Sequence, residues 1–119
     1  MNNYELGKMG ESYASDYLKK RDFHILAQNY RVGRLGEIDL IATKNEQIFF
    51  VEVKSRTGYS FGTPAEAVSY KKQRTIRNVA ACFLKEYGKS DIEVHFDIIE
   101  IIMTKDGRLT NMNYLANAF

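Results

Sequence analysis

The chain has 119 residues, of which 45% are hydrophobic and 27% are charged, and its formal net charge is only +2 at pH 7. These values fit one globular domain over residues 1–119 and exclude a globally basic chain, so any affinity for nucleic acid must come from local clusters of Lys and Arg. The single cysteine, Cys82, excludes an internal disulfide, and the absence of a long apolar run or a signal pattern predicts a cytoplasmic protein with no membrane partner.

An opening helix is predicted over residues 4–21, because apolar and small residues recur at helical spacing between Leu6 and Tyr17. Asn2 or Asn3 is available as its N-terminal cap. Glu11 falls at the edge of the apolar stripe. The spacing leaves open whether this carboxylate overhangs the sheet or lies in solvent.

A first strand is predicted over residues 23–30, followed by the short basic loop Arg31-Val32-Gly33-Arg34. Contacts between arginine and the phosphate backbone of a nucleic acid dominate its affinity for proteins, so Arg31 and Arg34 are candidates for phosphate contact. An ordinary solvated loop is the alternative interpretation.

A hairpin is predicted from residues 36–42 and 49–56, since both stretches are rich in Ile, Val, Phe and Leu and a polar break separates them. Residues 45–46 are the expected centre of the turn. Alternation along the first strand places Ile38 and Leu40 on the same face of the hairpin.

Four ionisable side chains are expected to converge at one end of this hairpin. The turn centre sets Asp39 opposite Glu52 and Glu37 opposite Lys54, and opposed residues share a face with Cβ atoms about 4.5–5.5 Å apart. The neighbouring residues are apolar on both faces, which is typical of strands inside a covered sheet. Buried charge is costly unless it is compensated, and Mg²⁺ is commonly held by one or two carboxylates. The excess of carboxylates therefore predicts a divalent cation here.

A second helix is predicted over residues 64–87, with Thr63 as its cap, Gly88 as its stop and a kink near Ser69. A polar, glycine-containing loop over residues 57–62 precedes it. The apolar stripe of this helix consists of Ile76, Val79, Ala80, Phe83, Leu84 and Tyr87.

The same stripe, extended back by one turn, contains Lys72 and Gln73, which are therefore expected to face the sheet. Lys71, Arg74 and Arg77 lie on the flanks of the helix and form a basic cluster. This cluster is either a nucleic-acid contact surface or an ordinary solvated helix face.

The remaining chain predicts a strand over residues 91–103, a turn at residues 105–108 and a last strand, at a sheet edge, over residues 109–115. His24 and His95 have no acidic or cysteine partner at metal-ligand spacing, so zinc is not expected. The elements together predict an α/β domain built on a mixed β-sheet of about five strands flanked by helices.

The hairpin motifs resemble those of the PD-(D/E)xK nuclease superfamily. Gly36-Glu37-Ile38-Asp39 and Val51-Glu52-Val53-Lys54 match its metal-binding Asp and Glu-x-Lys, although the proline of the superfamily's name is missing. Across nearly the whole chain the sequence is similar to the YraN-type uncharacterised bacterial family, related to archaeal Holliday-junction resolvases. The other segments that carry this similarity are Gly10-Glu11, Asn29-Tyr30-Arg31, Glu66-Ala67-Val68, Lys72-Gln73, Phe96-Asp97 and Asn117-Ala118-Phe119.

This resemblance implies a restriction-endonuclease-like fold and metal-dependent hydrolysis of DNA phosphodiester bonds, with branched or Holliday-junction-like DNA among the expected substrates. It implies that Asp39, Glu52 and the Val53 carbonyl hold Mg²⁺ or Mn²⁺. Glu37 and Glu11 would complete the shell of a second ion.

The resemblance also gives Lys54 the role of orienting or deprotonating the attacking water, and it brings Gln73 to the active-site end of the sheet to position substrate or water. Relatives that cut two strands symmetrically work as homodimers, so a homodimer is expected. The residues expected to hold the DNA backbone are Arg31, Arg34, Arg56, Lys71, Lys72, Arg74 and Arg77.

Two other classes of function stay open at this point. One is a non-catalytic nucleic-acid-binding module that retains the nuclease fold. The other is a structural or partner-binding protein in which Lys54 merely pairs with Glu37.

Overall fold

The computed structural model describes residues 1–58, 68–89 and 91–119, and within them the chain forms two helices and a five-stranded sheet. The strands lie side by side in chain order. β1, β2 and β3 are antiparallel, β4 runs parallel to β3, and β5 is antiparallel to β4, which confirms the predicted mixed α/β sheet. The elements are α1 (Asn3–Lys20), β1 (His24–Val32), β2 (Gly36–Lys44), β3 (Gln47–Thr57), α2 (Tyr70–Tyr87), β4 (Glu93–Met103) and β5 (Leu109–Leu115).

Helix α1 covers one face of the sheet and begins at a capping box. The Asn2 side chain accepts a hydrogen bond from the Glu5 N–H at 2.8 Å, and the Glu5 carboxylate accepts one from the Asn2 N–H at 3.0 Å. Gly10 faces β3 so closely that a Cβ atom there would lie 1.8 Å from the Ser55 Oγ. The absence of a side chain at Gly10 therefore lets the helix approach the sheet.

The β2–β3 hairpin has the predicted register, with residues 40–44 paired to residues 47–51. Asn45 and Glu46 form the turn with φ angles of 52° and 62°. Positive φ at both central residues is the geometry of a type I′ turn, whose twist matches that of the flanking strands. The local sequence therefore sets the register of the two central strands.

The regular pairing of β2 with β3 ends at Leu40 and Val51. The predicted backbone pairs of Asp39 with Glu52 and of Glu37 with Lys54 are therefore not formed. The Val53 N–H instead donates a hydrogen bond to the Asp39 Oδ2 at 2.8 Å. A side-chain carboxylate thus replaces the expected backbone acceptor at this end of the hairpin.

The same irregularity changes the face on which Ile38 lies. Ile38 packs with Ile41 in the core beneath α2, whereas Leu40 packs in the core beneath α1. The prediction that Ile38 and Leu40 share a face is therefore wrong. The break in alternation falls at Asp39, where the regular β2–β3 ladder has ended.

Helix α2 begins at Tyr70, and Ser69 is its cap, with φ −62°, ψ 160° and a side chain that accepts a hydrogen bond from the Lys72 N–H. The prediction of a helix continuing through Ser69 is wrong, because Ser69 has extended backbone and caps the helix that begins at Tyr70. The predicted Thr63 cap and the turn that follows it lie outside the described residues. The end is as predicted: Gly88 adopts a left-handed φ of 75° and stops the helix.

Strands β4 and β5 complete the sheet, and β5 lies at an edge as predicted. The Asp97 carboxylate accepts hydrogen bonds from the Tyr114 hydroxyl and from the Asn117 N–H. The Ala118 N–H donates to the Phe96 carbonyl, so the Phe96-Asp97 motif anchors the C-terminal segment. Within the described part of the chain, neither helix is long and apolar enough to cross a membrane.

Candidate functional site

A cavity of about 410 Å³ opens at the end of the sheet where β2 and β3 separate and where both helices begin. β2 contributes Asp39, and β3 contributes the run from Glu52 to Thr57. α1 adds Glu11 from one face of the sheet, and α2 adds Lys72 from the other. Charged groups from both helices and both strands thus surround one space.

The two predicted metal-binding carboxylates, Asp39 and Glu52, meet in this cavity. The pKa of Asp39 is raised to about 8. Burial is the largest cause, and the hydrogen bond to Glu52 and the negative charge of Glu52 contribute to the same increase. The Val53 N–H and the Lys72 ammonium act in the opposite direction. Near neutral pH the Asp39 carboxyl therefore retains a proton for much of the time and hydrogen-bonds to Glu52.

The Glu52 carboxylate is only 5% exposed, and its Oε2 has no hydrogen-bond donor among the described residues. The Lys72 Nζ lies 3.5 Å from this oxygen and forms an ion pair with it. A buried carboxylate oxygen without a donor is unfavourable, and oxygen ligands of this kind suit Mg²⁺ or Mn²⁺. The residues present therefore fit a divalent cation.

The carboxylate set is smaller than the sequence suggested. Across the ranges that the structure describes, no group of three or more Asp, Glu, His or Cys side chains is arranged to hold one metal ion. Among the described residues, the carboxylates that lie together are Asp39 and Glu52, with the backbone of Val53 beside them, and Glu11 lines the same cavity. Two carboxylates are a common complement for Mg²⁺, which keeps several waters as ligands.

Glu11 lies in the cavity wall, where its Oε1 accepts a hydrogen bond from the Asn29 Nδ2 at 3.0 Å and pairs with the Lys8 Nζ at 3.5 Å. Asn29 has a φ of 50°, a left-handed conformation that asparagine tolerates better than most residues. The sequence motif that contains Asn29 did not predict that Asn29 orients Glu11. Glu37 is not among the residues that line the cavity, and it lies opposite Arg31 in the backbone register of β1 and β2.

Lys54 lines the cavity two positions after Glu52 on the same strand. The ion pairs among the described residues do not include one between Lys54 and Glu37. The structure therefore lends no support to the interpretation in which Lys54 is only the salt-bridge partner of Glu37.

Lys72 faces the end of the sheet, as the helical stripe predicted, but Gln73 does not reach the same cavity. The Gln73 Nε2 donates a hydrogen bond to the Val68 carbonyl at 3.1 Å. Gln73 lines a second cavity of about 350 Å³, together with Tyr70, Arg74 and Arg77.

Arg56 lines the main cavity, and its Nε lies 3.1 Å from the Oε2 of Glu100 on β4. Glu100 is 2% exposed and also accepts a hydrogen bond from the Asn113 Nδ2. Sequence analysis missed Glu100, although an acidic residue with two isoleucines on each side was a signal, because charged side chains are rarely buried unless they are paired.

The remaining basic candidates lie further from the cavity. Arg31 belongs to β1 and donates from its Nε to the Gly33 carbonyl, so it is not in the loop where the sequence placed it. Arg34 lies in the exposed turn after β1, and Lys71 is exposed on α2. The guanidinium of Arg77 lies 4.6 Å from the centre of the Phe96 ring.

The fold and the site define a class: an α/β domain with a mixed five-stranded sheet and a carboxylate pair in a cavity at the ends of two central strands. The chain belongs to the family described as Uncharacterised protein family UPF0102, whose model matches residues 10–101.

Relatives in this family resemble the chain over essentially its full length. A UPF0102 protein of Dictyoglomus thermophilum is 44% identical over 119 residues and covers 100% of both chains. One of Alkaliphilus oremlandii is 46% identical and covers 98% of this chain and 99% of the relative. One of Clostridioides difficile is 40% identical over the whole of both chains.

Proposed function

We propose that the protein is a metal-dependent nuclease that hydrolyses DNA phosphodiester bonds, with branched DNA among its substrates. The observation that carries this proposal is the meeting of Asp39 and Glu52 in a cavity that Lys54 also lines. A carboxylate pair with an adjacent lysine supplies the two kinds of charge that phosphodiester hydrolysis requires, one for a cation and one for the phosphate.

Asp39 and Glu52 would hold Mg²⁺ or Mn²⁺, with the Val53 carbonyl as a further oxygen ligand. The bound cation would lower the pKa of a coordinated water and offset the negative charge of the scissile phosphate. Asp39 must give up its proton for this role, because a carboxylate binds metal in its ionised form. Glu52 then no longer needs Lys72 as its counter-ion.

Lys54 and Lys72 would act on the substrate. The Lys54 ammonium would contact the phosphate and orient the attacking water, since a lysine is a compact point charge with three donors. Lys72 is 45% exposed, so its flexible side chain can turn from Glu52 to a DNA phosphate. Arg56, fixed by Glu100, would contact the backbone beside the cut.

A non-catalytic nucleic-acid-binding module is the second candidate, and the Lys72–Glu52 ion pair favours it. This pair neutralises Glu52 without any metal, so the cavity can persist in a protein that has no catalytic role. In that case DNA binding would not depend on divalent metal.

The proposal is tested with purified protein and Mn²⁺ on branched, flapped and linear DNA labelled at one end. We expect metal-dependent cleavage by the wild-type protein, with Asp39→Asn and Lys54→Ala each losing at least about a hundred-fold in rate, the scale at which single electrostatic groups act in catalysis. Equal cleavage by all three proteins would show that a contaminant was responsible. Binding without cleavage under every condition would favour the second candidate.

A further inference from the structure

Two tyrosine rings are exposed to an unusual degree. Tyr4 is 72% exposed and Tyr70 is 78% exposed, more than any other large hydrophobic side chain among the described residues. Neither ring belongs to the two hydrophobic cores. Exposed aromatic surface of this kind suits a binding role, because these rings add little to the packing of the folded chain.

Tyr4 lies beside the cavity that contains Asp39, and Tyr70 lines a second cavity on the helix that supplies Lys72 to the first. Tyr4 lies in the first turn of α1 and shares a helix face with Gly7 and Glu11, which line the cavity. The Lys8 side chain lies between Tyr4 and Glu11, because its Nζ is 5.7 Å from the centre of the Tyr4 ring and 3.5 Å from the Glu11 Oε1. A cation and a ring thus stand together beside the cavity on the α1 side.

Tyr70 begins α2 on the opposite face of the sheet, two positions before Lys72. Together with Gln73, Arg74 and Arg77 it lines the second cavity, of about 350 Å³. This cavity combines a ring for stacking, guanidinium groups for phosphate and an amide for hydrogen bonds to a base edge. These are the groups with which proteins bind unpaired nucleotides.

We infer that Tyr4 and Tyr70 stack unpaired bases of a single-stranded nucleic-acid segment, Tyr4 beside the main cavity and Tyr70 in the second cavity. The inference rests on the proposed function for its substrate class and adds that the substrate has unpaired bases near the cut. A ring can stack only on a base whose face is available, and in a duplex those faces are covered by neighbouring base pairs. The basic neighbours Lys8 and Arg74 complement the phosphates of such a strand.

The test is a binding titration in EDTA, which prevents cleavage and separates this inference from the nuclease proposal. Fluorescence anisotropy compares a labelled 20-nucleotide single strand, as DNA and as RNA, with a duplex of the same sequence. We expect the single strand to bind more tightly than the duplex. Tyr4→Ala and Tyr70→Ala should each weaken single-strand binding by about 5- to 100-fold, the range that corresponds to the loss of one stacked base.

The controls separate stacking from other effects. Tyr4→Phe and Tyr70→Phe keep the ring and should bind the single strand as the wild type does, and Leu35→Ala removes a different exposed apolar side chain and should have no effect. Duplex binding should change less than about two-fold in the alanine variants. The RNA arm shows whether the rings accept unpaired bases on either sugar, and tight binding of one strand type alone assigns the substrate.

Unchanged single-strand binding in both alanine variants would overturn the inference, as would an equal loss for single strand and duplex. If the rings prove necessary for binding while Mn²⁺ produces no cleavage, the inference stands and the nuclease proposal fails. If cleavage occurs and the rings prove dispensable, the reverse holds.

Discussion

At the scale of single residues, Asp39 links the cavity to the stability of the fold. Its pKa in the folded chain is about 8, raised first by burial, whereas an unfolded chain returns it to about 3.9. Between these values the folded state binds more protons than the unfolded state. The contribution of protonated Asp39 to the free energy of unfolding is therefore fully present below about pH 4 and is lost as the pH rises through about 8.

We predict that, in EDTA, Asp39→Asn becomes more stable than the wild type as the pH is raised from 5 to 8.5, by up to a few kcal/mol in the free energy of unfolding. The neutral amide does not ionise beside Glu52, whereas the wild-type carboxyl must. Urea unfolding followed by circular dichroism across this range measures the difference. Parallel pH profiles for the two proteins would show that Asp39 is not a buried carboxyl with a raised pKa.

Lys72 competes with a cation for the same carboxylate. The Lys72 Nζ lies 3.5 Å from the Glu52 Oε2, so its positive charge neutralises the carboxylate that a bound metal would otherwise neutralise. We predict that Lys72→Gln binds Mn²⁺ roughly two- to five-fold more tightly than the wild type, the effect of removing one partly exposed ion pair. Isothermal titration calorimetry without DNA measures this change.

Lys71→Gln is the matched control for that experiment, since it removes the same charge from the adjacent position on α2 and no ion pair joins Lys71 to Glu52 among the described residues. It should leave Mn²⁺ affinity close to the wild-type value. Weaker binding in Lys72→Gln would mean that Lys72 supports the metal site, and the competition argument would be wrong.

At the scale of elements, the β2–β3 hairpin was predictable because its information is local. The polar break and the apolar alternation on either side fix the turn and the register of residues 40–44 with residues 47–51. The irregularity at Asp39 was not predictable, because it depends on a side-chain hydrogen bond to the Val53 N–H. Alternation alone therefore placed Ile38 on the wrong face.

Helix α2 likewise has features that the local sequence predicts and others that depend on individual side-chain contacts. Its apolar stripe gave the face that packs on the sheet and the direction of Lys72, since both follow from helical periodicity. The start at Tyr70 depends on the Ser69 cap, and Gln73 turns back to the Val68 carbonyl next to that start. The sequence could not distinguish this local contact from one with the sheet.

The two glycines of α1 provide an element-scale prediction. Gly10→Ala should destabilise the fold by more than about 1 kcal/mol, because the new Cβ would lie 1.8 Å from the Ser55 Oγ and must displace either β3 or the helix. Gly7→Ala should instead stabilise it by about 0.5–1 kcal/mol, since open space surrounds that position and alanine favours a helix. Thermal unfolding of both variants measures these opposite signs.

The double variant Gly10→Ala with Ser55→Ala tests the cause. Removal of the Ser55 hydroxyl should restore part of the lost stability, although the Ser55 Cβ would still lie 3.0 Å from the added methyl group. No recovery would mean that the close approach of α1 to β3 does not account for the glycine.

At the scale of the whole molecule, the topology joins groups that the sequence shows only as separate motifs. The parallel pairing of β3 with β4 sets Lys54 beside Glu100 in register and brings Arg56 within 3.1 Å of Glu100. The paired residues are 46 positions apart in the sequence, so no local pattern reports this pairing. The homodimer stays a prediction, and the exposed edge at β5 is where we would look for it.

Asp39 and Glu52 together are predicted to bind one divalent cation, and the proposed activity depends on this. Calorimetric titration of Mn²⁺ at pH 7 into the wild type, Asp39→Asn and Glu52→Gln tests it, with Asp16→Asn on the exposed face of α1 as the charge-matched control. We predict saturable binding to the wild type and the control, with release of most of one proton as Asp39 ionises, and loss of binding in both cavity variants. Absence of specific heat in the wild type, or equal binding by Asp39→Asn, would contradict the account.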